Sequence, residues 1–286
     1  MNYILGVLTL ILIYAILSLS LNLLIGYSGI LSMAHAAVFG VGAYVTAILM
    51  ERFGWSFIPA LLVAMVAAGL ISIAVALPSL RVSGDFFVVA SFGTQFVLND
   101  IYLNWSDVTG GAAGIPGIPP LDIFGWRITG QFSFVIVTAI FVALCYLAVR
   151  LLLRSPFGWN IEAVRQDEVA TMASGRSPRN IKYMVSLVSG ILAGVGGALF
   201  AVYMAYIDYS SFTLEMSIYF LTFVILGGVG TILGSFVGPL ILVTVTELLT
   251  FLPLGSSAAI LQQMVYGLIL ILLMFFRPQG ILGRKL

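Results

Sequence analysis

Residues 3–25 read YILGVLTLILIYAILSLSLNLLI and contain no charged side chain. A transmembrane helix needs about 20 predominantly apolar residues, so this run is long enough to cross a bilayer. It is too long for the apolar region of a cleavable signal peptide, which spans about 7–15 residues, and no Lys or Arg precedes it. We therefore predict that residues 3–25 form the first transmembrane helix.

The composition indicates that the whole chain is a membrane protein. Its 286 residues include only 12 basic and 11 acidic ones, apolar types make up 61%, and the mean hydropathy is +1.16. An ordinary soluble domain has about 25% charged residues, so this chain has too few polar side chains to cover a soluble surface. The net charge of +1 also excludes a nucleic-acid-binding protein, because it offers phosphates no basic face.

Nine apolar segments divide the sequence, at residues 3–25, 31–50, 56–78, 86–104, 132–153, 182–205, 216–232, 235–252 and 259–276. At about 20 residues per span, the length allows about 8–10 helices. We therefore predict an all-α, polytopic transmembrane helical bundle in which residues 1–286 form a single domain. Glycines interrupt the stretch 216–252, which is therefore either two short spans or a broken pair.

The basic residues predict the orientation of this bundle. With nine spans, only Arg52 and Arg127 fall on one side. The other side collects Arg81, Arg150, Arg154, Arg165, Arg176, Arg179, Lys182, Arg277, Arg284 and Lys285. Because basic residues in short loops stay in the cytoplasm, we predict that the C-terminus and the loop 154–181 are cytoplasmic and that the N-terminus is external.

Two loops are long enough to form structure of their own. The segment 106–131 is rich in Gly and Pro, and we predict an external segment with many turns. The segment 154–181 is rich in charge, and we predict a short helix over Asn160–Ala173. Gly175 is placed to end that helix, and Pro178 follows it.

Glycine is the residue type that says most about the membrane region. Its 30 copies concentrate in the clusters 26–44, 190–197 and 227–239, where small residues recur at three- and four-residue spacing. Small residues allow helix backbones to approach closely. Dense glycine also unwinds helices, which the membrane tolerates only inside protein or along a wet cavity. The first and last clusters share a Gly-x-x-Gly pattern, which hints at an ancestral duplication.

The sequence lacks several common nucleotide-binding and catalytic motifs. It has no G-x-x-x-x-G-K-[ST] loop for ATP and no H-E-x-x-H, G-x-S-x-G or paired-carboxylate pattern, which argues against a membrane-embedded enzyme. Cys145 and His35 are the only Cys and His, so we predict neither a disulfide nor a Cys or multi-His metal site. We interpret His35 as a packed, hydrogen-bonded side chain, with a place along a transport pathway as the alternative.

An ion-coupled secondary transporter is the main alternative from a different class. Such a carrier normally needs ionisable groups near the middle of the membrane. Of the acidic residues near the predicted spans, only Glu247 is a candidate. We interpret it as a carboxylate that reaches the external interface.

Six blocks in order along the chain resemble the permease subunits of branched-chain amino acid ABC importers, and the LivM type more closely than the LivH type. These blocks are Gly26–Tyr44, residues 109–115 (TGGAAGI), residues 155–175 (from SPFG to Gly175), Ser189–Ala201, Gly227–Gly234 and Arg277–Gly280. Each block alone is a weak match, but six in order make chance an unsatisfactory explanation. The stretches Trp159–Glu162 and Arg176–Pro178 depart from the family pattern.

The resemblance implies a division of labour between several chains. A substrate-binding protein captures the substrate outside, this chain and a sister permease of the LivH type form the pathway, and two ATPase subunits hold ATP and Mg²⁺. The permease itself binds no cofactor, and the assembly belongs in the bacterial cytoplasmic (inner) membrane. The departures at Trp159–Glu162 and Arg176–Pro178 bear on which ATPase docks.

The resemblance also implies roles for individual residues. The cytoplasmic helix would couple to the ATPase through Phe157, Gly158, Ala163, Arg165, Asp167, Glu168 and Gly175. The pathway would involve Ser32, His35, Thr109, Gly110, Gly111, Gly227, Gly228, Gly230 and Thr231. Unwound helix ends and hydroxyl groups would receive the charged ends of the substrate. Branched-chain or other apolar amino acids are the expected substrates, with urea or short amides as the alternative.

Overall fold

The structure is a computed structural model that describes residues 2–79, 85–123, 126–128, 130–250, 264, 267–268, 271–272, 275 and 279–283. In these residues the helices are α1 Asn2–Asn22, α2 His35–Glu51, α3 Phe57–Ser79, α4 Asp85–Asn104, α5 Ser106–Thr109, α6 Gln131–Arg154, α7 Pro156–Gln166, α8 Glu168–Ala173, α9 Pro178–Met204, α10 Leu214–Gly227 and α11 Gly234–Thr250. The strands are β1 Ile115–Pro116, β2 Leu121–Ile123, β3 Trp126–Ile128 and β4 Tyr206–Ile207. The described part of the chain is thus a helical bundle with two minor sheets.

The predicted helical, polytopic architecture is confirmed. In the described part of the chain, α1 with its extension to Tyr27, α3, α4, α6 and α9 are long and apolar enough to cross a membrane. The helices α2, α10 and α11 are apolar but shorter. The stretch 216–252 contains two helices, because α10 ends at Gly227 and α11 begins at Gly234. The predicted segment 259–276 lies mostly outside the described residues.

Helix α9 forms the centre of the bundle and α4 lies at its edge. The apolar window of α9 is 83% buried inside the protein, whereas that of α4 is only 22% buried. Glycines bring α9 against α2, since a Cβ at Gly42 would lie 2.7 Å from the Gly194 Cα, and a Cβ at Gly197 would lie 2.7 Å from the Ala43 nitrogen. The expectation that small residues allow close helix packing holds at these positions.

An aromatic cluster closes the bundle around Phe39. Its ring lies 5.1 Å from that of Phe200, 5.2 Å from that of Phe212 and 5.6 Å from that of Phe220, each in an edge-to-face arrangement. Aromatic rings favour this geometry at such distances. The contacts join α2, α9 and α10 to the short 3₁₀ turn that holds Phe212.

The predicted turn-rich loop 106–131 contains regular structure. It holds α5, a 3₁₀ turn and the strands β1, β2 and β3. The strand β1 pairs antiparallel with β4, with Ile115 opposite Ile207, and β2 pairs with β3. The pairing of β1 with β4 ties this loop to the chain between α9 and α10.

Contacts at the two ends of the bundle agree with the predicted grouping of the loops. At one end the Tyr3 hydroxyl donates to the Glu247 carboxylate, and a Cβ at Gly6 would lie 2.9 Å from the Tyr203 hydroxyl, close to β4. At the opposite end the loop between α6 and α9 reaches the end of α1. Glu247 therefore lies at the end where α1 begins, as the interfacial interpretation requires. Which end faces the cytoplasm stays a prediction.

Gly197→Ala should destabilise the bundle, because a methyl group there would overlap the Phe39 carbonyl and crowd the α2 backbone. Overpacking of this kind costs about 1–3 kcal/mol. We expect a lower melting temperature for the purified variant in detergent.

Gly93→Ala is the matched control for this substitution. Nothing lies within 4 Å of a Cβ at Gly93 on α4, so the added methyl should leave the melting temperature unchanged or raise it. Equal melting of the Gly197→Ala variant and the unmodified protein would contradict the close packing of α9 on α2.

Candidate functional site

The first and last glycine clusters meet inside the bundle, where α1 and α10 end. A π-helical turn, Leu23–Tyr27, extends α1, and residues 228–233 connect α10 to α11. A Cβ at Gly26 would overlap both the Asn22 side chain and the Gly230 nitrogen. Glycine is therefore required at residue 26. We call residues 23–27 together with residues 228–233 the junction.

The Asn22 side chain holds the two parts of the junction together. Its Oδ1 accepts a hydrogen bond from the Gly230 nitrogen at 2.9 Å, and its Nδ2 donates to the Thr231 carbonyl at 2.8 Å. Nδ2 also donates to Ser235 Oγ at 2.8 Å, and the whole residue is buried. Because hydrocarbon offers backbone groups no hydrogen bonds, the amide replaces the partners that an unbroken helix would supply.

Arg165 reaches the junction from α7. Its guanidinium donates a hydrogen bond to the Gly26 carbonyl, and Nη1 would lie 3.3 Å from a Cβ at Gly230. The resemblance implies that Arg165 takes part in coupling to an ATPase, and this role stays a prediction. The side chain contacts the transmembrane bundle, so a coupling role would be exerted from the inner side of α7.

The C-terminal segment satisfies the last carbonyls of α10. The Ile281 nitrogen donates to the Leu226 carbonyl and the Leu282 nitrogen donates to the Gly227 carbonyl, each at 3.0 Å. Gly280 allows this approach because its φ is +77°, a conformation that favours glycine. The helix end that precedes the junction is thus closed by residues from the far end of the chain.

The start of α2 is buried, and its first donors are occupied by side chains. Ser217 Oγ accepts from the Ala36 nitrogen at 2.9 Å, Gln95 Oε1 accepts from the Ala37 nitrogen at 3.0 Å, and Ser91 Oγ accepts from the Met33 nitrogen at 3.0 Å. The first N–H groups of a helix lack partners within it and carry partial positive charge. A substrate carboxylate could reach these donors only by displacing Ser217 or Gln95.

His35 is packed in the bundle, in line with the structural interpretation of this residue. It is 2% exposed and lies edge-on to Phe220 with ring centres 6.4 Å apart. With Ser32 it borders a gap of about 10 Å³, which is too small for an amino acid and close to the size of one water. Among the described residues, His35 Nε2 has no hydrogen-bond partner. A pathway role for Ser32 and His35 stays a prediction.

The block at Thr109–Gly111 forms a tight turn after α5. Thr109 Oγ1 donates to the Tyr102 carbonyl at 2.7 Å and accepts from the Gly111 nitrogen at 3.2 Å. Gly110 and Gly111 have φ angles of +77° and +57°, which explains the need for glycine at both positions. The observed contacts shape the loop, and contact with a substrate stays a prediction for these three residues.

The prediction of one helix over Asn160–Ala173 was wrong. The segment contains α7, which begins earlier at Pro156 and ends at Gln166, and the separate helix α8. Asp167 divides them, since its carboxylate accepts hydrogen bonds from the Val169 nitrogen at 2.8 Å and the Ala170 nitrogen at 3.0 Å. Aspartate is a favoured N-cap, and here it starts a new helix.

The other predicted coupling residues have mixed surroundings. Phe157, Gly158 and Ala163 are at least partly buried. Glu168 forms an ion pair with Lys182. Gly175 has a φ of +79° and follows α8 closely, as predicted for the residue that stops the helix.

Large apolar side chains are exposed on α7 and α8. Trp159 and Val169 are each 71% exposed and Met172 is 54% exposed. The charged and polar residues of the loop lie between these three apolar residues in the sequence. The composition of α7 and α8 is therefore not that of a segment that faces lipid. We call Trp159, Val169 and Met172 the exposed apolar residues of the loop.

A cavity of about 610 Å³ lies between α1, α10 and α11, near the end that holds Tyr3 and Glu247. Its volume falls in the range of about 300–1,000 Å³ that is common for small-molecule sites. Apolar side chains such as Leu10 and Met216 line it together with polar ones. The main polar members of the lining are Tyr14, Glu215, Tyr219, Thr222, Thr246 and Glu247. The described lining includes none of the predicted pathway residues.

Sequence analysis missed Asn22 and Gln95, which hold the junction and the start of α2. Each is an amide within a predicted apolar span. An amide in a membrane helix usually hydrogen-bonds across to another helix, so the signal was present. The partners of Asn22 and Gln95 could not be predicted because they lie far away in the sequence.

The sequence matches a known protein family over nearly all of its length. The family model described as "Branched-chain amino acid transport system / permease component" matches residues 3–274. The chain is 31% identical to the high-affinity branched-chain amino acid transport system permease protein LivM of Escherichia coli strain K12, over 96% of the chain and 68% of that protein.

Two further relatives are more distant. The probable branched-chain amino acid transport permease protein LivM of Methanocaldococcus jannaschii is 24% identical, over 96% of the chain and 91% of that protein. The high-affinity branched-chain amino acid transport system permease protein LivH of Escherichia coli strain K12 is 24% identical, over 95% of the chain and 91% of that protein. No solved structure matches the chain.

Both the extent of the family match and the identity to a LivM protein are high enough to establish kinship. The apolar helices fit the same class, since a transport permease must cross the membrane several times. The chain therefore belongs to the family of branched-chain amino acid transport system permease components.

Proposed function

We propose that the chain is one of two permease subunits of an ATP-driven importer for branched-chain or other apolar amino acids. The observation that carries this proposal is the family match over residues 3–274, together with relatives whose names specify branched-chain amino acid transport. A sister permease, two ATPase subunits and a substrate-binding protein complete the transporter. ATP and Mg²⁺ are held by the ATPase subunits, in the bacterial cytoplasmic membrane.

The loop of α7 and α8 is the proposed site of ATPase docking. If the loop is cytoplasmic, contact with lipid does not explain why its apolar residues are exposed. Apolar groups that are exposed on a surface facing water mark contacts with other proteins. The basic residues around the loop support the cytoplasmic side. The C-terminal segment, which packs against the end of α10, lies at the same end of the bundle.

The cavity between α1, α10 and α11 is the proposed contribution of this chain to the pathway. Apolar lining suits the side chain of a branched amino acid, and the carboxylates of Glu215 and Glu247 suit its ammonium group. The cavity lies near the predicted external end, where a binding protein would deliver substrate.

The assembled transporter in proteoliposomes should take up leucine, isoleucine or valine when ATP is supplied to the ATPase side and the binding protein is outside. An ion gradient without ATP should drive no uptake. Urea and acetamide serve as competing substrates in the same assay. Uptake driven by a sodium or proton gradient alone would contradict the ABC mechanism, and selective uptake of urea would contradict the substrate assignment.

Val169→Asp combined with Met172→Asp should weaken ATPase docking, because the charges replace apolar contacts that would be desolvated. We expect the ATPase to co-purify poorly and uptake to fall at least tenfold. Asn180→Asp adds a negative charge at an exposed position in the first turn of α9, next to the loop, and serves as the control. Normal co-purification of the double variant would place the docking surface elsewhere.

Glu215→Gln should raise the KM for leucine by about tenfold, because a hydrogen bond to a charged group contributes about 1.5–3 kcal/mol. Asp100→Asn is the matched control, since Asp100 is an exposed acidic residue on α4 that does not line the cavity. Initial uptake rates over a range of leucine concentrations give the KM and the maximal rate. An unchanged KM for Glu215→Gln would remove this carboxylate from the pathway.

A further inference from the structure

We propose that Arg165 is the positioning residue that transmits movement of the cytoplasmic loop to the helices around the transport cavity. The geometry that points to this role is the hydrogen bond from its guanidinium to the Gly26 carbonyl at the junction. The proposal rests on the proposed function, because an ATPase must supply the movement.

The helix that carries Arg165 is anchored to the bundle. Ile161 and Val164 on α7 are buried, and the aliphatic stem of Arg165 lies against the chain at Gly29, where a Cβ would be 3.5 Å from Arg165 Cγ. The helix α8, in contrast, exposes Val169 and Met172. The break at Asp167 thus separates an outer helix that is free to meet a partner from an inner helix that contacts the membrane region.

The charge of arginine suits the place that its guanidinium occupies. The π-helical turn of α1 ends at Tyr27, and α10 ends at Gly227, so two helix C-termini meet near the junction. Helix C-termini carry partial negative charge and attract cations. The guanidinium also has several donors in a fixed plane, and one of them satisfies a carbonyl of the irregular π-helical turn. Methionine, which has an unbranched stem but neither a charge nor a donor, would satisfy neither requirement.

The junction connects Arg165 to the cavity through the helices themselves. Gly26 lies directly against Gly230, and Asn22 binds Gly230, Thr231 and Ser235 across the same gap. The three helices that meet here are α1, α10 and α11. They also form the cavity, through Tyr14 on α1, Tyr219 on α10 and Glu247 on α11. A shift of α7 that pulls on Gly26 would therefore move the cavity walls together.

The test compares Arg165→Met and Arg165→Lys in the complete transporter with its ATPase and binding protein. Methionine keeps an unbranched apolar stem but loses the charge and the donors, whereas lysine keeps the charge and a donor. Arg179→Met is the matched control, because Arg179 is an exposed arginine whose guanidinium hydrogen-bonds Tyr183 on its own helix, α9. Rates of ATP hydrolysis and leucine uptake are measured on the same proteoliposomes, after co-purification confirms assembly.

We expect Arg165→Met to hydrolyse ATP within twofold of the unmodified transporter while leucine uptake per ATP falls at least tenfold. Arg165→Lys should recover most of the lost uptake per ATP, and Arg179→Met should leave the uptake per ATP unchanged. Unchanged uptake per ATP in Arg165→Met would overturn the proposal.

Two further results separate this proposal from simpler explanations. If Arg165→Lys assembles but has the same low ratio as Arg165→Met, or if both variants lose assembly, the residue acts through packing and the proposal is overturned. Failure of ATP-driven uptake in the unmodified transporter would instead contradict the proposed function.

Discussion

The structure depends on supplying hydrogen bonds to backbone groups where helices break inside the membrane. Hydrocarbon offers no partners for such groups. Around the junction the partners come from Asn22, from Arg165 and from the C-terminal residues Ile281 and Leu282. These groups come from widely separated parts of the sequence. The broken helices at the junction are therefore stable only when the whole chain is folded around them. A substitution of any one of these partners changes the surroundings of the others.

This arrangement explains why a permease with so few charges can respond to a partner. One guanidinium of the charged loop, that of Arg165, hydrogen-bonds the bundle at the point where α1 and α10 end. The helices that leave this point form the walls of the cavity at the other end. The start of α2, in contrast, is closed by Gln95 and Ser217. The glycines of α2, α3 and α9 pack these helices into a close frame, and the transmission proposed above would move the ends of α1 and α10 relative to α9.

The sequence was sufficient to predict the class of fold, because a long uncharged run such as Tyr3–Ile25 is expected to form a transmembrane helix. It also predicted that glycine clusters mark either close packing or broken helices, and both occur, at Gly197 and at Gly26. It did not predict the division of the loop at Asp167, because the capping preference of one aspartate was outweighed by the helical pattern on either side. The direction of Arg165 depends on how α7 rotates against the bundle, and the location of the cavity depends on contacts between distant helices. Neither can be deduced from spacing in a single sequence.

The most direct measurement is the distance between spin labels on α7 and on the junction, recorded in the assembled transporter with and without trapped ATP. Gln166 and Leu233 are exposed and suit labelling after Cys145→Ser, and Met184 on α9 provides a reference in the frame. We expect both labels to move relative to Met184 when ATP binds, while the distance between Gln166 and Leu233 stays constant. Movement of the α7 label alone, with the junction fixed relative to α9, would contradict transmission through the junction.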